Sequence, residues 1–339
     1  MVFAKVKKEY GERIRRFLIE SGAFANGYRI MNEGEFVFFP ILKRVKGDFE
    51  IVEQEADPLP KQYSKMEDAL SGLLSEKEMG DLVTSFDLIG DIAIIDIPAG
   101  LESKEKMIAE AVFSVHKNIK VVAKKMGPME GEFRVRKLKV IAGEERTKTI
   151  YQENGVRMKL DVLKVYFSVR LGTERKRISE LVTPGERILA LFAGVGPFAL
   201  VIAKSHPDAE IVAIELNPDA ERYMEENIKL NKFKNIKAIQ GDAREVVLNS
   251  YVGWADRVLM PLPKSADAFL DVAIGGAKDG GIIHFYAFAK EEDPYSEARK
   301  KIEEEARKAG ASVKFLNEKI VRPYAPRVVQ VVVDFRVRK

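Results

Sequence analysis

The period of the apolar residues changes along this 339-residue chain, and the changes mark out its parts. Ile14, Phe17 and Leu18 recur at helical spacing and predict a helix from Glu9 to Ser21. "EFVFFPIL" and "DFEIVEQE" then predict two short strands divided by a turn over Lys43–Asp48. The proline-bearing stretch "ADPLPKQYSK" (56–65) reads as a linker, so residues 1–60 form a small α/β unit. A second unit covers residues 66–150. In it "SGLLSEKEMGDLV" predicts a helix and "SFDLIGDIAIIDIP" a strand pair or one bent strand. "SKEKMIAEAVFSVHK" predicts an amphipathic helix with Ser103 as its N-cap. "IKVVAKKM" and "FRVRKLKVIAG" return to strand spacing.

From residue 151 to 339 the pattern differs. After an Asn-Gly turn, "VRMKLDVLKVYFS" predicts strands. The runs "ERILALFAG", "AEIVAIELN", "IKAIQGDA", "ADRVLMPLP" and "GGIIHFYAFA" follow, separated by helical stretches. They are apolar nearly throughout, as parallel strands covered on both faces must be. Repeated βα units of this kind predict a doubly wound sheet. The last two strands, "SVKFLNEKIVR" and "RVVQVVVDFRVR", are joined only by "PYAP". So short a join permits an antiparallel pair and forbids a parallel crossover. The predicted fold class is α/β: a class I methyltransferase domain, Rossmann-like with a reversed last strand, preceded by two small α/β domains.

Composition narrows the chemistry. The 46% hydrophobic content suits a folded protein with a sizeable core. No apolar run is long enough to span a membrane, and no apolar segment follows the charged N-terminus as in a signal peptide. The expected compartment is the cytoplasm. With no cysteine, disulfides, thiolate metal sites and cysteine nucleophiles are excluded. His116, His206 and His284 stand far apart and predict no metal site. Net charge is only +4, yet 133–149 and 170–180 are dense in Arg and Lys. Such stretches suit either a polyanionic partner or a solvated, ion-paired surface.

"LFAGVGPFALVIAK" (191–204) carries the clearest motif. Gly194 and Gly196 end an apolar strand, where a tight turn brings backbone close to a ligand. Glu215 ends the next strand, nineteen residues after Gly196, and can accept hydrogen bonds from both hydroxyls of a ribose. Asp242, after the third strand, reaches an adenine amine or caps a helix. A dinucleotide enzyme shares these features, but Pro197 removes a backbone N–H that a pyrophosphate would want. A sulfonium cofactor loses nothing there. The fourth strand ends "MPLPK", either a rigid turn or a grip on a modified base. In "VYFSVRLGTERKRISELV", Tyr166, Arg170 and Glu174 fall at steps of four, one face if the segment is helical. Glu174 among its arginines is a structural ion-pair hub or a base beside a polyanionic substrate.

"YFSVRLGTERKRI", "FAGVGPFAL", "IELNPDAERYMEENIKLN" and "RVLMPLPKSADAFLDVA" together resemble the archaeal and eukaryotic tRNA guanine-37 N1-methyltransferase family. That family shares its catalytic domain with the wyosine-pathway tRNA enzymes. The resemblance implies S-adenosylmethionine as cofactor and tRNA as partner, held at the anticodon loop and at the elbow by the N-terminal domain. A monomer without a metal site is expected. Glu174 would be the general base at N1, Arg134 would face O6, and Arg170 and Tyr166 would hold the base or shape its pocket. Phe192, Gly194, Gly196, Glu215, Leu216, Asp242 and Ala243 would line the cofactor, and Pro261, Leu262 and Pro263 the substrate. Two departures stand out. Ala190 replaces the family's usual Asp before the glycine loop, and Pro261 replaces the usual Asn of an N-L-P motif. They leave open C-methylation of the tricyclic precursor 4-demethylwyosine, an aminocarboxypropyl transfer on the same fold, and a tRNA-binding protein without catalysis.

Overall fold

The computed structural model describes residues 1–58, 63–127, 131, 133 and 135–339. These fall into two compact units, Met1–Leu74 with Glu110–Lys117, and Ser75–Ala109 with Asn118–Lys339. The expected linker is described only in part, because residues 59–62 lie outside the described residues.

The first unit contains an antiparallel sheet of β1 (Val2–Lys7), β2 (Met31–Glu33), β3 (Phe36–Ile41) and β4 (Glu50–Glu53), in the order β2-β3-β1-β4. The helix α1 (Gly11–Glu20) buries Ile14 and Leu18 with Val6, Val37 and Phe39. Phe17 sits at the margin, 6.4 Å from Phe49. The sequence reading lacks β1, whose six residues precede any turn signal. The short helix α2 (Met66–Leu70) and the segment Glu110–Lys117 also belong to this unit.

The second unit opens with α3 (Glu76–Asp81), shorter than its apolar run suggests because Ser75 and Glu78 close a capping box. "SFDLIGDIAIIDIP" resolves into a strand pair, β5 (Asp87–Ile89) and β6 (Ile92–Ile95). The helix α4 (Glu105–Val115) leads from β6 to its parallel neighbour β7 (Val121–Lys125), and β8 (Leu138–Gly143) completes the order β5-β6-β7-β8. Ser103 does not cap α4, since a 3-10 turn over Ala99–Lys104 runs straight into it. The hairpin β9 (Lys148–Glu153) and β10 (Val156–Asp161) turns on Asn154-Gly155, both at positive φ as a primed turn requires. After Asp161 the chain leaves strand geometry, because Lys164 and Val165 donate back to the Asp161 carbonyl.

The large sheet holds β11 (Arg187–Leu191), β12 (Glu210–Glu215), β13 (Ile236–Gln240), β14 (Ala255–Met260), β15 (Ala277–Lys290), β16 (Ser312–Ala325) and β17 (Val328–Arg338). Its order is β13-β12-β11-β14-β15-β17-β16, with β11 to β15 parallel and β17 antiparallel to both its neighbours. This is the expected class I methyltransferase sheet. One face is covered by α5 (Gly172–Glu180), α6 (Pro197–Ser205) and α7 (Pro218–Asn231). The other is covered by α8 (Ala243–Ser250), α9 (Leu270–Gly276) and α10 (Ser296–Lys308). Ala190 is fully packed in the first of these cores.

Candidate active site

At the carboxyl ends of the parallel strands lies a cavity of about 380 Å³. The turn after β11 forms one wall. Phe192 takes φ +54 and meets Phe269 edge to face at 4.9 Å between centroids. Gly194 follows at φ +58 and Gly196 at φ +87, conformations that a side chain would strain. A Cβ on Gly196 would also come within 3.0 Å of Met224, so this glycine serves helix packing and does not line the cavity. Pro197 begins α6 without an N–H to offer.

Glu215 sits at the tip of β12. Its Oε2 accepts the N–H of Gly194 at 2.7 Å and its Oε1 the N–H of Asn217 at 2.8 Å. No cation pairs with this carboxylate among the described residues. Burial therefore pushes its carboxyl up from the usual 4.5, against the pull of those backbone donors. Each oxygen can accept beyond the N–H it already takes, and two hydroxyls on adjacent carbons would satisfy both. Asp242 lines the same cavity and caps α8 by accepting the Arg244 N–H at 2.6 Å. Tyr166, Leu216, Ala243, Pro261 and Leu262 complete the predicted set that the structure brings together. Pro263 lines a neighbouring cavity of about 220 Å³, which shares Lys264 with the first. Asn217, Ser265 and Phe269 also line the cavity and escape the sequence reading; only the Asn-Pro start of α7 hinted at the first. The uncompensated carboxylate, the glycine turn and the aromatic wall fit the adenosine part of S-adenosylmethionine.

The remaining predicted residues are elsewhere. Tyr166, Arg170 and Glu174 do not share a helix face, because Ser168 is extended and a 3-10 turn over Val169–Leu171 precedes α5. Arg170 donates to Asp87 Oδ1 at 3.0 Å, and Arg136 donates to Asp87 Oδ2 at 2.8 Å. Arg134 lies outside the described residues. Arg175, fully buried, anchors α5 by bonding Glu153 and the Ser168 carbonyl. Glu174 does not line the cavity. Only 3% exposed, it accepts from Arg177 at 2.7 and 2.9 Å and from the Tyr286 hydroxyl at 2.7 Å.

Comparison with known proteins follows this layout closely. The TRM5/TYW2 methyltransferase domain model matches residues 149–314, the TYW2 N-terminal domain model 66–147, and the tRNA methyltransferase 5 N-terminal domain model 5–50. A tRNA (guanine(37)-N(1))-methyltransferase Trm5b from Pyrococcus abyssi is 46% identical over 98% of both chains. The chain belongs to the TRM5/TYW2 methyltransferase family. Its fold matches that of a Trm5 solved in complex with tRNALeu, with a TM-score of 0.74, 36% identity and 99% of both chains covered. TYW2 from Pyrococcus horikoshii, solved with MeSAdo, gives a TM-score of 0.68 at 32% identity over 81% of this chain and 98% of that one. A Nanoarchaeum equitans relative, 35% identical over 62% of this chain and 85% of its own, is named a tRNA (guanine(37)-N(1))/4-demethylwyosine(37)-methyltransferase.

Proposed function

We propose that this family member transfers the methyl group of S-adenosylmethionine to N1 of guanine 37 in tRNA. The observation that carries this reading is the Glu215 carboxylate, bonded among the described residues by backbone N–H groups alone and lining a cavity at the strand tips. Glu215 would take the ribose hydroxyls, Phe192 would wall the adenine, and Leu216, Asp242 and Ala243 would edge it. When bound, the cofactor supplies an electrophilic methyl group on a sulfonium. Tyr166 and the Pro261-Leu262-Pro263 tip stand on the acceptor side.

Guanine N1 is a poor nucleophile until its proton leaves. Glu174 takes that proton as general base once its side chain turns out of its resting bonds, Arg134 faces O6 as negative charge develops there, and Arg170 helps hold the base. Contributions of this kind are typically of order 10²–10³-fold in rate. The target base leaves its stack to enter, at a cost of a few kcal/mol. The exposed cations of the basic stretches 133–149 and 170–180, among them Lys139, Lys148 and Lys176, hold RNA backbone. Residues 1–60 reach the tRNA elbow, 66–150 form an RNA-binding domain and 151–339 work at the anticodon loop. The enzyme acts as a cytoplasmic monomer. Among the described residues no helix is long and apolar enough to cross a membrane.

Pro261 favours a second substrate. It puts an apolar ring where an amide would otherwise select guanine, which suits C-methylation of 4-demethylwyosine at the same nucleotide. Nucleoside mass spectrometry tests both activities after incubation with unmodified transcript and with tRNA carrying the precursor. N1-methylguanine from the first and a one-methyl mass gain in the second are the expected products; an unchanged transcript removes the principal reading. Glu174→Gln is expected to slow guanine methylation by about 10²-fold or more. Wild-type activity in that variant removes Glu174 from the base role.

A further inference from the structure

A chain of buried and partly buried polar side chains crosses the sheet face that α5 and α6 cover, and Glu174 is its last member. It begins at Glu186, which accepts two hydrogen bonds from Arg257 at 2.7 and 3.0 Å. Arg257 also donates to Nε2 of His284 at 2.7 Å. A guanidinium only donates, so Nε2 must accept and the imidazole proton sits on Nδ1. That proton is given to Asp334 at 2.6 Å. Arg177 then bridges two carboxylates. Its Nη1 lies 2.8 Å from Asp334 Oδ2, while its Nε and Nη2 hold Glu174.

The charges do not balance in pairs. Glu186 and Arg257 match one another and His284 is neutral, so Arg177 alone serves both Asp334 and Glu174. The next cation, Lys319, is 4.0 Å from Glu174 and half-exposed. A guanidinium shared by two carboxylates can be taken over by either. The takeover contact is already close, with Nη2 3.4 Å from Asp334 Oδ1.

We propose that Arg177 is an exchange clamp: it holds Glu174 in a buried resting position and frees it for the acceptor site by passing wholly to Asp334. The proposal rests on the general-base reading of Glu174. Asp334 makes release feasible, because a buried guanidinium deserted by its only carboxylate is strongly disfavoured. His284 and Asn317, which donate to Asp334, hold the receiving carboxylate in place. Tyr286 acts in the opposite direction, since its hydroxyl stabilises only the resting carboxylate. Arg177, Asp334, His284, Asn317 and Tyr286 are all positioning residues.

The test is single-turnover methylation of transcript tRNA by the full-length chain at saturating S-adenosylmethionine, with cofactor affinity measured in parallel. Asp334→Asn is expected to slow methyl transfer about 10- to 100-fold by withdrawing the charge that receives Arg177. Tyr286→Phe is expected to speed it about 2- to 10-fold, the value of one hydrogen bond lost from the resting state. Neither should change cofactor affinity. Arg177→Lys, which keeps the charge but cannot bridge both carboxylates, should slow transfer as Asp334→Asn does, and it carries the test if that variant fails to fold. A merely structural network would slow the reaction in every variant, and that outcome, or no change in any, overturns the clamp. Full activity in Glu174→Gln would instead overturn the base reading beneath it.

Discussion

Two carboxylates of the second unit, Glu215 and Asp334, are both withdrawn from water and are treated in opposite ways. Burial raises the Glu215 carboxyl, and among the described residues its bonds are to backbone N–H groups alone. Burial works on Asp334 in the same sense, but His284 and Arg177 outweigh it and hold that carboxyl well below the ordinary range. One site has acceptor capacity left over and opens on a cavity; the other is already engaged by side chains of the same chain. Unspent hydrogen-bonding capacity marks where a ligand goes, and spent capacity marks what positions the machinery.

The contrast breaks first under deletion. Arg257→Ala leaves Glu186 with only its Thr183 donors and leaves the buried His284 without its donor. A loss of about 3–5 kcal/mol in unfolding free energy is expected, with cofactor affinity of the folded protein unchanged. Denaturant unfolding and titration calorimetry read the two quantities separately. Glu215→Ala should do the reverse. It removes the acceptor of the Gly194 and Asn217 N–H groups but no ion pair, so stability should fall by only about 1–2 kcal/mol, while S-adenosylmethionine binding weakens about 100-fold, as loss of two hydrogen bonds to a charged group implies. Equal effects on stability and affinity in both variants would erase the distinction.

The two regions were also unequally legible in sequence. Everything around the cavity lies in turns just past apolar runs, where Gly194, Glu215 and Asp242 stand out against their neighbours. The reversed β17 is visible because "PYAP" is too short for a crossover. The buried chain is not, since Arg257, His284 and Asp334 each interrupt a different apolar strand and meet only through the strand order β14-β15-β17. A polar residue inside each apolar run was the available signal, and in β14 and β17 it shares the run with others. Arg170 illustrates a harder limit. Its i,i+4 spacing with Glu174 suggests a shared helix face, yet the chain turns before α5 and its partner Asp87 is 83 residues away. Local period cannot report a pairing that tertiary packing decides.

The smallest expected effect distinguishes the regions by sign. Burial lowers the pKa of His284 from its ordinary 6.5, although Asp334 pulls it upward. The unfolded chain therefore takes up a proton on this residue before the folded one does, and stability is lost as pH falls below about 6.5. Asp334 adds to the loss only below its unfolded value of 3.8. Glu215 runs the other way: its raised folded value means that its stabilising contribution is present in acid, below 4.5, and is lost as pH rises through that folded value. Between pH 7 and 4.5 the two regions thus oppose one another. Glu215→Gln removes the opposing group and should make the decline in thermal midpoint over that interval steeper than in the wild type, by the equivalent of about 1 kcal/mol for each unit of pKa displacement. Saturating S-adenosylmethionine should steepen the wild-type decline too, because ribose hydroxyls donating to Glu215 favour its charged form. A shallower decline in either case would mean that the Glu215 carboxyl is not held up by burial and awaits no donor.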